Sequence, residues 1–169
     1  MPYAQPVQML LWFGARELAQ VAVPEELTPV SPELLRLTLE GGNRAGFTAD
    51  QTDAADVGAS ALLQALEDAS RLIDSYLVTR QLLPLSDERI AQSPLPRLCG
   101  EIARRLLHRD RIPEAVQAGY ERAMAWLASL GAGQAGIAGG ATGVVAGSAG
   151  SPAFDAAPRA FDDTTLWGF

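Results

Sequence analysis

The chain has 169 residues, 48% of them hydrophobic, enough for one domain with a packed core. Its formal charge is −7 and all thirteen basic residues are arginine, a poor balance for sequence-specific duplex binding, which depends on neutralising phosphates. A single cysteine, Cys99, excludes an intrachain disulfide, and one histidine, His108, with that lone thiol makes no zinc site. The N-terminus has no basic n-region, and Met9-Leu10-Leu11-Trp12-Phe13 is too short for the apolar core of a signal peptide. Cytosolic synthesis is the expectation.

Pro6 suits the first turn of a helix running to about Val21, with Leu10, Phe13, Ala15 and Leu18 on one face and Arg16 and Glu17 outward. Pro24, Pro29 and Pro32 then break the chain into turns and a short turn of helix. Leu35, Leu37 and Leu39 alternate with Arg36, Thr38 and Glu40, a period-two strand signal, and Gly41-Gly42-Asn43 tolerates the positive φ of a hairpin turn. A return strand would run from Arg44 to Thr48. The start Pro32-Glu33-Leu34-Leu35 equally fits a helix. The reading adopted for 28–53 is a small β-hairpin insertion.

Asp53 or Asp56 is a natural N-cap for the central helix. In that helix Leu62, Leu66, Ala69, Ile73 and Tyr76 recur at helical spacing and form its buried stripe. Asp74 is placed to pair with Arg71 one turn earlier. Pro84 ends the helix and Ser86 to Ser93 reads as a loop. Pro94 and Pro96 pre-set the next helix, with Leu95, Leu98, Ile102 and Leu106 as its stripe. Around that stripe Arg97, Arg104, Arg105, Arg109 and Arg111 face only Glu101 and Asp110. They suit an acidic neighbour or nucleic acid, or simply a solvated face whose C-terminal end the helix dipole favours for cations. Pro113 opens a last helix with Val116, Tyr120, Ala123, Leu127 and Leu130 inward and Gly131 as its cap.

From Gly131 to Gly150 the chain holds eight glycines, six alanines and no charge, the composition of a linker. Gly131-Ala132-Gly133-Gln134-Ala135-Gly136 spells a dinucleotide fingerprint. It follows a helix instead of a strand and has no acidic partner downstream, so no cofactor is expected. The same segment is too rich in glycine to span a membrane. Residues 151–169 form an arm with Phe154, Phe161, Leu166, Trp167 and Phe169 beside Asp155, Arg159, Asp162 and Asp163. Aromatics beyond a glycine-rich linker cannot build their own core, and in extended geometry Phe161, Trp167 and Phe169 share one face, as a docking peptide does. These five apolar residues are the candidate partner-binding set.

Several segments, in their order and spacing, resemble the Mu-like gp36 family of phage proteins. They are Tyr3-Ala4, Arg16-Glu17-Leu18, Ala65-Leu66-Glu67-Asp68-Ala69, Ile73-Asp74-Ser75-Tyr76-Leu77, Arg80, Pro84-Leu85, Ile102-Ala103-Arg104, Leu107-His108, Tyr120 to Leu127 and the closing Leu166-Trp167-Gly168-Phe169. The resemblance covers about 1–27 and 54–130 and the last few residues. It implies a head–tail connector, an adaptor in a dodecameric ring between the portal protein and the neck stopper or tail terminator. DNA passes through such a ring, and an acidic wall suits passage without sticking. A site in the virion neck, made in the host cytoplasm, follows from the same resemblance.

The expected fold is mainly α: a compact four-helix bundle over 1–130, the 28–53 hairpin, a linker over 131–150 and a long extended C-terminal arm over 151–169. Asp74, Arg80, Arg97, Arg104, Arg105 and Arg109 are candidate intersubunit or channel charges. The rival function is a small helical DNA-binding regulator using the Arg-rich helix pair 97–122. Catalysis is not expected, because Ser60, Ser70, Ser75 and His108 have no spacing that builds a triad.

Overall fold

The computed structural model describes residues 2–108 and 112–137, which lie in a compact unit spanning Met1–Gly139. The expectations for the rest of the linker and for the arm fall outside the described residues. Those described form helices α1 (Pro6–Phe13), α2 (Ala15–Ala22), α3 (Pro32–Glu40), α4 (Ala49–Thr79), α5 (Asp87–Ala91), α6 (Leu95–Leu107) and α7 (Glu114–Gly131), with no strand among them. The fold is mainly α, as the sequence implies. The four-helix plan and the hairpin are corrected.

The expected first helix is two. Gly14 sits at φ 81° and ψ 146°, closing α1 and opening α2, and its N–H donates to Leu10 O at 3.0 Å. A side chain there would meet nothing within 4 Å, so glycine is required by the backbone angle alone. The bend lets α1 bury Met9 while α2 buries Leu18, Ala19 and Ala22.

The alternating leucines form α3, not a strand. Ser31 Oγ accepts the Leu34 N–H at 3.2 Å, Pro32 occupies the first turn, and Gly41 closes the helix in the left-handed region at φ 70°. Adjacent Leu34 and Leu35 are both buried, which one face of a strand does not allow. Leu37 is accommodated separately, lying over the turn at Gly42. Start and stop signals outweighed a short alternation.

Helix α4 is the axis, about 46 Å long at the standard rise per residue. It packs against α6, α7, α3 and α2. Its N-cap is Thr48, not Asp53 or Asp56. Thr48 and Gln51 form a reciprocal capping box, with Thr48 N–H donating to Gln51 Oε1 at 3.1 Å. About six turns of α4 bury Ala55, Leu62, Leu66, Ala69, Ile73 and Leu77, so the expected stripe extends towards the N-terminus and ends on Leu77, with Tyr76 half-buried. At Gly58 an added methyl would stand 2.8 Å from Val23, so this glycine lets the end of α2 close on α4. The loop expected at 86–93 contains α5, capped by Ser86.

The stripe of α6 is rotated by about one residue from the expectation. Leu95, Cys99, Ile102, Ala103 and Leu107 are buried, while Leu98 is half-buried and Leu106 is 48% exposed. The small side chain of Cys99 lies against α4, touching Ser70 Oγ at 3.4 Å and the Leu66 carbonyl at 3.6 Å. In α7, Val116, Ala123, Leu127 and Leu130 are buried as expected and Tyr120 is half-buried. Gly131 is the last residue of α7 and packs on Tyr76; the positive φ of the exit is taken by Gly133, at 77°.

Candidate functional site

Two features of the described surface bear on function: the arginine-rich side of α6 and a groove beside α2. The arginines are turned towards their own protein. Arg104 grips Glu17 of α2 with both arms of its guanidinium, at 2.5 Å from Nε and 2.8 Å from the second nitrogen. Its plane also lies 4.6 Å from the Phe13 ring centroid. Arg97 pairs with Glu101 at 2.8 Å and stands over Trp12 and Phe13, at 5.3 and 4.9 Å. Arg105 donates from Nε to Gln117 Oε1 of α7 at 3.1 Å and reaches the His108 carbonyl. His108 Nε2 lies 3.5 Å from Glu17 Oε1.

Glu101 is held as firmly as its partner. A methyl on Gly119 of α7 would stand 2.5 Å from the Glu101 carboxylate, so that glycine leaves the space the carboxylate fills. Arg97, Arg104 and Arg105 therefore link α6 to α1, α2 and α7. Arg109 and Arg111 lie outside the described residues.

Asp74 does not pair with Arg71, which turns to Asp68 instead. The Tyr3 hydroxyl donates to Asp74, and the Tyr3 N–H donates to Ser70 Oγ at 3.0 Å. Ser70, the one buried polar side chain of the described core, also donates to Leu66 O at 2.7 Å and touches Cys99 Sγ at 3.4 Å. The N-terminal segment is thus fastened across α4 and α6. Burial, then the Asp74 bond and charge, push the Tyr3 phenol well above its ordinary range. Burial likewise pushes the Cys99 thiol up, against a lowering bond from Ser70. Cys99 is a buried structural thiol. Arg80 closes α4 and leans over Gly133, whose added methyl would meet its guanidinium at 2.8 Å.

The expected arm contacts Phe154, Phe161, Leu166, Trp167 and Phe169 lie outside the described residues. Sequence reading missed Trp12, Phe13, Glu17, Tyr3 and Ser70 as partners. Glu17 and Arg104 are separated by 87 positions, so no local periodicity links them. It missed the groove as well, whose wall is the proline-broken segment 24–32. Among the described residues no group of three or more His, Cys, Asp or Glu is placed to hold a metal ion, and no helix is long and apolar enough to cross a membrane.

Fold and surfaces define a small helical protein whose distinctive chemistry is contact between elements. The chain belongs to the family described as Bacteriophage Mu, Gp36, whose model matches residues 3–156. A Mu-like prophage FluMu protein gp36 from Haemophilus influenzae is 39% identical over 70 residues, covering 41% of this chain and 48% of that protein. The match thus spans about half the length of that relative. Family and relative are both phage proteins by description, one of bacteriophage Mu and one of a Mu-like prophage.

Proposed function

We propose that this protein is a head–tail connector, a dodecameric ring between the portal and the neck stopper or tail terminator, through which DNA passes. The observation that carries the reading is the family match over residues 3–156, nearly the whole chain. The role is geometric, not catalytic. Copies of the helical body side by side make a closed ring if each contact joins two different surfaces and the rotation closes. A net charge of −7 suits a channel wall that DNA passes without adhering. The apolar residues Phe154, Phe161, Leu166, Trp167 and Phe169 are the proposed anchors on the portal or a neighbour. The ring would sit in the virion neck after synthesis in the host cytoplasm.

The DNA-binding alternative draws less support, because Arg97, Arg104 and Arg105 are already engaged with Glu101, Glu17 and Gln117. A mobility shift on duplex DNA at low salt would revive it. The connector reading is tested by measuring mass for the protein alone and mixed with its portal. Co-assembly with a fixed copy number is expected, and two unmixed species would overturn it. Deleting Ser151 to Phe169 should leave the helical circular dichroism intact and abolish joining of heads to tails in electron micrographs.

A further inference from the structure

Between α2 and the turn that follows it lies a groove of about 450 Å³, within the size range of ligand sites. Val23, Leu27, Val30 and Pro32 supply apolar wall, and Arg16 and Glu25 bring one charge of each sign. Neither charge has an ion-pair partner among the described residues, unlike Arg97 and Arg104 of α6. Leu27 remains 37% exposed, more than a leucine in a finished wall. The groove therefore fits an apolar side chain flanked by a cation and an anion.

That pattern is written in this chain at Arg159-Ala160-Phe161-Asp162-Asp163. In extended geometry Arg159, Phe161 and Asp163 point to one face, and Trp167 and Phe169 continue it. The chain from Ala138 to Phe161 can span at most about 80 Å. That exceeds the length of α4, so this segment can reach another subunit.

We infer that the α2 groove of each subunit receives the Arg159–Asp163 segment of a neighbouring copy. The inference rests on the ring reading for the identity of the occupant. Phe161 fills the apolar wall, Arg16 meets Asp163, and Glu25 meets Arg159. Groove and segment are different surfaces, so the contact is heterologous, the kind that closes into a ring.

The first test uses a synthetic peptide covering Ser151 to Phe169. It is titrated into the full-length chain carrying Phe161→Ala and Trp167→Ala, so that the protein's own arm competes poorly. Methyl resonances of Val23, Leu27 and Val30 should shift and saturate. Arg16→Glu or Leu27→Asp should weaken binding about tenfold, since each removes one half of the complementarity. No saturable shift at these methyls, or binding indifferent to both substitutions, overturns the proposal. The second test mixes full-length Gln20→Cys and Thr165→Cys chains under oxidation, with Cys99 buried and inert. A disulfide joining the two variants is expected. A cross-link that forms only inside a chain carrying both substitutions assigns the groove to its own arm and overturns the exchange. Rings on the portal without this cross-link would leave the connector reading standing and the groove assignment lost. The cross-link without any assembly on the portal would do the reverse.

Discussion

Helix α6 is held on two sides by opposite chemistry. On its apolar side Leu95, Cys99, Ile102 and Ala103 are all at 0% exposure, as are Leu66, Ala69 and Ile73 of α4, and Cys99 rests on Ser70 and the Leu66 carbonyl. Towards α1 and α2 it presents Arg97 and Arg104, which close on Glu101, Glu17 and the rings of Trp12 and Phe13. The first joint excludes water and draws its strength from area and close packing. The second stays partly wet, with Arg104 and Glu17 side chains 18% and 29% exposed, and draws on direction: a bidentate fork over an aromatic face. The lesson is that a cluster of arginines on one helix need not be a surface for someone else. Where the facing helices supply carboxylates and aromatic rings, the same residues fix one helix on another.

The comparison is broken most severely on the apolar side. Ile73→Ala should cost about 2–5 kcal/mol, because the site is fully buried in the C-terminal third of α4 and cannot collapse easily. Urea unfolding measures it, and a loss below about 0.5 kcal/mol would mean that the α4 seam is not what holds the body together.

Gly100→Ala probes the place where the two joints meet. An added methyl would stand 2.7 Å from the Trp12 ring, so Trp12 must move off α6 and carry its contact with Arg97 along. The expected cost is about 1–3 kcal/mol, with a change in tryptophan fluorescence. An unchanged emission spectrum would show that Trp12 does not rest on Gly100.

The ionic side should break more gently. Arg104→Ala and Glu17→Ala should each cost about 1 kcal/mol, and their double-mutant cycle should show a coupling of the same order that shrinks in high salt. A coupling indifferent to salt would assign the joint to the stacking on Phe13.

The smallest effect concerns pH. Tyr3 and Cys99 have folded-state pKa values raised by burial, so the unfolded chain loses these protons first. Their contribution is complete below the unfolded pKa values and fades as pH rises, beginning near about 8.5 for the thiol and about 10 for the phenol. Cys99→Ala should flatten the first part of the decline and Tyr3→Phe the later part, read as slopes of unfolding free energy against pH. Parallel slopes in wild type and both variants would contradict the burial of these groups.

The chain's own pattern determined a good deal. Helical spacing in α4 and α7 is long and regular, and periodicity over many turns is hard to counterfeit, so Leu66, Ile73, Ala123 and Leu127 were legible as core. The order of short segments also carried the family, which the match over residues 3–156 bears out. Short elements were another matter. Leu35-Arg36-Leu37-Thr38-Leu39 alternates over too few residues to separate a strand from a helix. The Ser31 cap, the Gly41 stop and the burial of Leu34 beside Leu35 decided it. The destination of the arginines was out of reach as well. The energy of a charge depends on what faces it, and Glu17 reaches Arg104 only after the bend at Gly14 has turned α2 onto α6. Sequence fixes which residues attract; only the packed chain decides which of them meet.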